Sequence, residues 1–275
     1  MTRLNAPAAA AAVLVLLTGC SDASTPTTAP AASASSASSA SSVAPASSPA
    51  TAAGEDAAAL AARVVAAMDA RKTAKVSMTA QSPAGTTTGS GATRFGESTD
   101  MAMRVVAGAT TMNLVLLGTS VYVQSPSLPT KKWIKISAGA TDPLSRALAP
   151  TLESISSNAS IEAMLDSYQG IPVTKAGTST LDGVPVAEYV YALDAAALTA
   201  GIPESLRAQA GTQFDGATGT TSMWVDDEGL VRKVLATVRL TSGTSQTTLR
   251  YTDWGAPVTI DAPSAADVVD AASLS

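Results

Sequence analysis

From residue 75 onward, much of the sequence consists of short runs in which apolar and polar residues alternate. A period of two puts every second side chain on one face of a β-strand, so these runs predict strands that are apolar on one face. Turns of a few residues separate most of them, and connections this short join antiparallel neighbours. The predicted strands are Lys75–Gln81, Gly89–Phe95, Ser98–Val106, Thr110–Leu117, Val121–Gln124, Trp133–Ser137, Ile171–Gly177, Pro185–Leu193, Thr218–Val225, Leu230–Leu240 and Ser245–Trp254.

Helical segments interrupt the strands. Between Asp56 and Lys72, the residues Leu60, Val64 and Met68 recur at four-residue spacing, which predicts an amphipathic helix that covers a sheet. The other predicted helical segments are one that begins at Asp142 and carries Leu148 and Leu152, Ser160–Tyr168, Asp194–Ala210 with an interruption at Gly201, and Ser264–Ala272. An antiparallel sheet with one apolar face must bury that face, so the expected fold class is α+β.

The single cysteine, Cys20, closes the run Leu17-Thr18-Gly19-Cys20. Arg3 and an apolar stretch from Ala8 to Leu17 precede it, which is typical of a secretory signal peptide. That stretch is shorter than the roughly 20 residues that a membrane-spanning helix needs. The run resembles the bacterial lipobox, which implies cleavage after Gly19 and attachment of acyl chains such as palmitate to Cys20. The alternative is an ordinary exported protein with a stray cysteine, and the position of Cys20 disfavours it.

The region between Cys20 and Gly54 consists almost entirely of Ala, Ser, Thr and Pro. Such a composition cannot bury enough apolar surface to offset its ordering entropy, so we expect a tether with a reach on the order of 30 Å. The predicted organisation is therefore a signal peptide at 1–19, a lipidated cysteine and tether at 20–54, and a folded domain at 55–275.

Composition excludes several classes of function. The chain has no histidine and a formal net charge of −5. Histidine is the commonest general base and metal ligand, and without it or a second cysteine the chain also lacks the usual Ser-His and Cys-His catalytic pairs. We therefore predict that the chain is not an enzyme and has no catalytic residue, no metal and no cofactor. The net negative charge disfavours nucleic acid as a partner. Asp226-Asp227-Glu228-Gly229 suggests calcium, but its spacing fits no EF-hand loop, and a tight hairpin turn is the better interpretation.

The order of tether, helix, strands, helices and further strands resembles the LppX/LprG-type lipoproteins of actinobacteria, which share an architecture with LolA. The resemblance covers roughly Glu55 to Ala272. Besides the layout, it rests on three local features: the lipobox, the Trp224-Val225-Asp226 hairpin and the segment Asp261-Ala262-Pro263-Ser264. It implies a strongly curved antiparallel sheet, or half-barrel, with helices over its concave face. It also implies an apolar cavity for acyl chains of lipids or glycolipids, at the outer face of the cytoplasmic membrane.

Alternation places the side chains of neighbouring predicted strands on one face, opposite a helical stripe. If the resemblance holds, these residues line the cavity. The candidate lining residues are Met101, Met103, Leu114, Leu116, Val121, Val123, Leu148, Leu152, Ile161 and Leu165. Lining and core residues look alike in a sequence, so a second function stays open, namely a tethered structural or sensory module with a packed core that acts through an envelope protein partner.

Overall fold

The computed structural model describes residues 56–96, 98–126, 128, 132–137, 161–199 and 214–274. The predicted signal peptide, Cys20, the tether and the segment with Leu148 and Leu152 lie outside these ranges, as does most of the predicted Asp194–Ala210 helix. Within them, twelve strands form one sheet. The strands are β1 Thr73–Ser82, β2 Gly85–Arg94, β3 Asp100–Ala107, β4 Thr110–Leu117, β5 Ser120–Gln124, β6 Trp133–Ser137, β7 Val173–Leu181, β8 Val184–Leu193, β9 Thr218–Asp226, β10 Val231–Leu240, β11 Gly243–Thr252 and β12 Val268–Asp270.

The sheet consists of two meanders joined side by side. Its order is β12-β6-β5-β4-β3-β2-β1-β11-β10-β9-β8-β7, so β1 pairs with β11 at the centre. All neighbours are antiparallel except β12 and β6, which are parallel. The end strands β12 and β7 are not paired with each other, so the sheet is open. The expected α+β fold with a strongly curved antiparallel half-barrel is confirmed.

Three α-helices occur in the described ranges: α1 Ala57–Arg71, α2 Ile161–Ser167 and α3 Ala195–Thr199. Helix α1 begins where Asp56 Oδ1 accepts a hydrogen bond from the Ala58 amide at 3.0 Å. The predicted stripe of Leu60, Val64 and Met68 is its buried face. At the other end, the Arg71 guanidinium binds Glu228 Oε1 at 2.8 Å, which ties the helix to the β9–β10 turn.

The principal core lies between the helices and one face of the sheet. It joins the buried face of α1 and Ile161 and Leu165 of α2 to strand residues from both meanders, among them Met103 and Tyr191. The opposite face of the central strands is mostly polar, as at Ser77, Thr79 and Arg104. We call the helix-covered face concave and the other convex. A sheet that is apolar on one face must be covered there, which explains why the helices share a side.

Strand β2 approaches β3 unusually closely. A Cβ at Gly91 would overlap the carbonyl oxygen of Ala102 and would lie 2.9 Å from the Met103 Cα. Glycine inside a strand often marks such a close backbone approach, and glycine kinks permit strong sheet curvature. A side chain at Gly91 would therefore force the two strands apart.

The acidic turn is a hairpin, as predicted. Gly229 has a φ of 87°, and the buried Asp226 Oδ1 accepts hydrogen bonds from the amides of Glu228 and Leu230 at 3.0 and 2.9 Å. Asp226 Oδ2 accepts a third from Arg232 Nε at 2.6 Å. The carboxylate is thus occupied by the turn itself.

Three sequence predictions are wrong in extent. Strand β2 was expected to begin at Gly89 but begins at Gly85. The tail was expected to be helical at Ser264–Ala272, but it contains the 3₁₀ turns Ala265–Asp267 and Ala271–Leu274 on either side of strand β12. Val268 and Val269 are β-branched and pair with Trp133 and Ile134, so tertiary pairing overrides the helical pattern. Strand β7 was expected to end at Gly177 but continues to Leu181, because the β7–β8 hairpin turns only at Asp182-Gly183.

Candidate functional site

A continuous strip of apolar side chains crosses the concave face of β3 to β6. Cross-strand register pairs Met101 with Leu116 and Met103 with Leu114, and it pairs these leucines in turn with Val121 and Val123. Val121 and Val123 then face Ile136 and Ile134 of β6. We call the eight residues the apolar band: Met101, Met103, Leu114, Leu116, Val121, Val123, Ile134 and Ile136. The six that the sequence placed on one face do share it.

Ile134 and Ile136 were absent from the sequence-based selection. Their signal was present, because the predicted strand Trp133–Ser137 alternates apolar residues at these two positions. Both are 2% exposed and cluster with Ala271, the first residue of the last 3₁₀ turn. Parallel pairing of β12 with β6 brings Ala271 there, and a parallel pairing between distant segments has no local signal in the sequence.

The apolar band belongs to three packed clusters. Met103 lies in the principal core with Ile161 and Leu165 of α2. Leu114, Leu116 and Val121 form a second cluster, and the described hydrophobic residues packed against it, Met101 and Val123, are on the same sheet. The described helices therefore pack against one end of the band. Leu148 and Leu152, the other predicted members of the helical stripe, are outside the described residues.

The size and chemistry of the band limit what it can do. Strands lie about 4.8 Å apart, so four of them span roughly 14 Å. None of the eight side chains carries a charge or a group that could donate or accept a proton. A surface of this kind can bind apolar groups, at about 0.8 kcal/mol for each buried methylene, but cannot itself perform acid–base or nucleophilic chemistry.

Polar groups lie on the concave face of the second meander. The hydroxyls of Tyr168 and Thr221 are 2.8 Å apart, and the Tyr168 and Tyr191 ring centroids are 4.8 Å apart. Burial raises the pKa of Tyr168, and the hydrogen bond with Thr221 offsets part of that rise. The buried Thr247 Oγ1 has no hydrogen-bond partner among the described residues. Buried polar groups without partners are costly, so Thr247 is a candidate weak point of the core.

A pocket of about 610 Å³ lies at the ends of β8, β9 and β10. Its walls include Ile171, Leu193, Thr220 and Arg239. No predicted lining residue contributes to it. Thr220 and Arg239 have the strand parity of the convex face, so this pocket is separate from the apolar band.

Elsewhere the described ranges offer little that would support other chemistry. No three acidic, histidine or cysteine side chains come together in these ranges as metal ligands would. None of the helices seen there is both long and apolar enough to cross a membrane.

Comparison with known proteins gives similarity of fold only. No protein-family model matches the sequence, and no curated protein does. Among solved structures, LprF from Mycobacterium bovis is 13% identical, with 75% of this chain and 97% of LprF covered and a TM-score of 0.43. LppX from Mycobacterium tuberculosis is 15% identical, with 74% and 99% covered and a TM-score of 0.45. A LolA superfamily protein from Nitrosomonas europaea is 12% identical, with 76% and 96% covered and a TM-score of 0.30.

Two of these structures, LppX and the LolA superfamily protein, have names that belong to the groups that the sequence layout resembles. The likeness concerns the fold alone. A shared fold hosts many functions, so function must be argued from the site itself.

Proposed function

We propose that the chain is an exported lipoprotein whose folded domain binds acyl chains of lipids or glycolipids on the apolar band. The band is the observation that carries the proposal, because it sets eight uncharged apolar side chains in register across four neighbouring strands. Six of the eight side chains are buried, and the four strands that carry them span roughly 14 Å. An acyl chain laid on the band gains about 0.8 kcal/mol for each methylene it removes from water.

The composition of the band suits a ligand without a fixed shape. Met101 and Met103 have flexible thioether side chains, which adapt to irregular apolar partners. Met101 is half-buried and packs against both the principal core and the cluster of Leu114, Leu116 and Val121. It therefore lies at the boundary between the two clusters. Met103, 9% exposed, lies beside it on the same strand.

The proposed attachment to the envelope is through Cys20. In this proposal residues 1–19 direct export, acyl chains on Cys20 hold the protein at the outer face of the cytoplasmic membrane, and residues 20–54 tether the domain beginning at 55. One acyl chain gives only marginal membrane binding, so stable anchoring needs more than one. The tether would let the domain reach on the order of 30 Å from its anchor.

Replacement of Cys20 tests the anchor. In Cys20→Ala the thiol that would be acylated is gone, so the protein should appear in the soluble fraction or remain uncleaved. Membrane fractionation with mass spectrometry of the amino-terminal peptide makes the measurement. A Cys20→Ala protein that is still cleaved, acylated and membrane-bound would contradict the proposed anchor.

Lipid extraction tests the binding function. Protein produced without residues 1–19 and with Cys20→Ser has no acyl anchor, so lipid that co-purifies with it must be held by the rest of the chain. We expect mass spectrometry to find acyl lipids in near-stoichiometric amounts. The same protein, unfolded and refolded in lipid-free buffer, is the control and should carry none. A lipid-free native preparation that also takes up no added lipid would favour the structural or sensory module.

A further inference from the structure

The pocket at the ends of β8 to β10 has two chemically different walls. One is apolar and consists of Ile171, Leu193 and Ala197. These three residues belong to the principal core or pack against it, so this wall is the margin of the core. The other wall is polar and includes Thr218, Thr220 and Arg239. A pocket with this division suits a ligand that is apolar at one end and polar at the other.

Register fixes the polar wall. Arg239 lies opposite Thr218, and Thr237 lies opposite Thr220 on the neighbouring strand. Directly opposite residues of an antiparallel pair have Cβ atoms about 4.5–5.5 Å apart, so a group held by the Arg239 guanidinium would be within reach of the threonine hydroxyls. Because these residues lie on paired strands rather than in a loop, the pairing of β9 with β10 fixes their relative positions.

The polar side chains of this wall are available to a ligand. None of the hydrogen bonds or ion pairs formed by the described residues uses the side chains of Arg239, Thr218 or Thr220. Other arginines on described strands, such as Arg94 and Arg232, are paired with carboxylates at 2.9 and 2.6 Å. The guanidinium of Arg239 can therefore offer its planar pair of N–H donors to an anion, and that geometry matches a carboxylate.

The nearby charges set the charge of the ligand. Asp194 also lines the pocket, where its Oδ1 accepts a hydrogen bond from the Ala197 amide at 2.8 Å. One guanidinium and one carboxylate line the same pocket, and the carboxylate repels a doubly charged ligand such as a phosphate more strongly than a singly charged one. We propose that this pocket binds an apolar monocarboxylate, with its carboxylate on Arg239 and the threonines and its hydrocarbon part against Ile171, Leu193 and Ala197.

The size of the pocket agrees with this ligand. At about 610 Å³ it falls within the range of roughly 300–1,000 Å³ that is common for small-molecule sites. The site goes beyond the acyl-chain function proposed for the apolar band, because the two share no residue and one carries a cation where the other has no charge. A protein could have either site without the other.

Photo-crosslinking of the full chain in phospholipid nanodiscs tests the proposal. The probe is a straight ten-carbon carboxylate with a diazirine at its far end, and the corresponding alcohol is the uncharged comparison. We expect the carboxylate to label segments 170–172 and 192–197, identified by peptide mass spectrometry, and the alcohol to label them much less. Raising the salt concentration should weaken labelling by the carboxylate, because exposed charges are screened.

Variants separate the contribution of the charge from that of the cavity. Arg239→Gln should lower labelling at limiting probe concentration by about tenfold. This corresponds to the low end of the free-energy range for a hydrogen bond to a charged group, which we expect because Arg239 is exposed to solvent. Arg104→Gln removes another exposed arginine, on β3, and should have no effect. Ala192→Trp, also at an exposed position on the pocket wall, should block labelling by filling the space.

The outcomes are distinct. Equal labelling by carboxylate and alcohol, unchanged labelling in Arg239→Gln, or an absence of label from both segments would each overturn the proposal. Label found only on the peptides of β3 to β5 would overturn it while supporting the acyl-chain site on the apolar band. Circular dichroism of each variant confirms that the fold is retained.

Discussion

Replacement of Gly91 by alanine should destabilise the domain strongly. The added Cβ would overlap the carbonyl oxygen of Ala102 and lie 2.9 Å from the Met103 Cα, both backbone atoms of the adjacent strand. Backbone cannot rotate away as a side chain can, so β2 and β3 must separate locally. Overpacking typically costs 1–3 kcal/mol, and weakened ladder hydrogen bonds cost about 1 kcal/mol each. We expect a loss of about 3 kcal/mol, or roughly 6–12 °C in Tm for a domain of this size.

Two other glycines provide matched controls. At Gly89, on the same strand and face, a Cβ would lie 2.9 Å from Met103 Cε and 3.3 Å from Met78 Cε. These are ends of flexible side chains, so Gly89→Ala should cost less than about 1 kcal/mol. At Gly177 of β7 a Cβ would have no atom within 4 Å. Gly177→Ala should be neutral or stabilise by about 0.4–1 kcal/mol, because alanine restricts the unfolded chain.

Urea unfolding followed by circular dichroism measures the series. The midpoint should fall in the order Gly177→Ala, Gly89→Ala, Gly91→Ala, with similar slopes if only stability changes. A Gly91→Ala protein as stable as the parent would refute the close approach of β2 and β3. Equal destabilisation by all three substitutions would show a general effect of alanine in strands instead.

Two further predictions concern buried hydroxyls. Thr247→Val removes a buried hydroxyl without a described partner, so thermal unfolding should show a gain of about 1 kcal/mol. Thr248→Val, half-buried on the convex face, should change stability little, and an equal gain there would contradict the reasoning. Burial raises the pKa of Tyr251. It also raises the pKa of Tyr168, although the hydrogen bond between Tyr168 and Thr221 offsets part of that rise. The folded protein therefore keeps both phenolic protons at a pH, above about 10, at which the tyrosines of the unfolded chain have lost theirs. Stability should be unaffected by these groups well below pH 10 and fall above it, with a limiting slope of about 1.4 kcal/mol per pH unit for Tyr251, and a flat profile from about pH 9 to 11 would contradict this.

Local patterns predicted most elements of the fold. Strand β4, Thr110–Leu117, and strand β6, Trp133–Ser137, agree with prediction to the residue, because period-two alternation and turns mark their ends. Helix α1 was recognised from its apolar stripe. The same alternation placed six residues of the apolar band on one face. The register there is well specified, because a shift by one residue would move every apolar side chain of a strand to the opposite face of the sheet.

What the sequence could not supply depends on distant contacts. The pairing of β1 with β11 joins segments more than a hundred residues apart, and the β12–β6 pairing brings Ala271 onto Ile134 and Ile136. The pocket combines residues from β8, β9 and β10 with the segment before β7. Arg239 and Thr218 are ordinary exposed strand residues in the sequence, and only the register makes them neighbours. Local patterns carry no information about such pairings.

The central claim is that the apolar band binds acyl chains. Leu114 is buried at the middle of the band, whereas the preceding residue, Asn113, points to the convex face. A Trp at either position puts the same large side chain on β4, but on opposite faces of the sheet. The most direct measurement is therefore crosslinking of the full chain to a phospholipid with a photoactivatable acyl chain, in Leu114→Trp, Asn113→Trp and the parent, together with the Tm of each.

We expect the parent and Asn113→Trp to be labelled on β3 to β5, and Leu114→Trp to lose the label while its Tm stays within a few degrees of the parent. Space for a ligand would take up the larger ring without strain. A close-packed core would instead lose about 1–3 kcal/mol on overpacking. A parent protein without label on these strands, together with a Leu114→Trp variant that is destabilised by this amount, would contradict the claim.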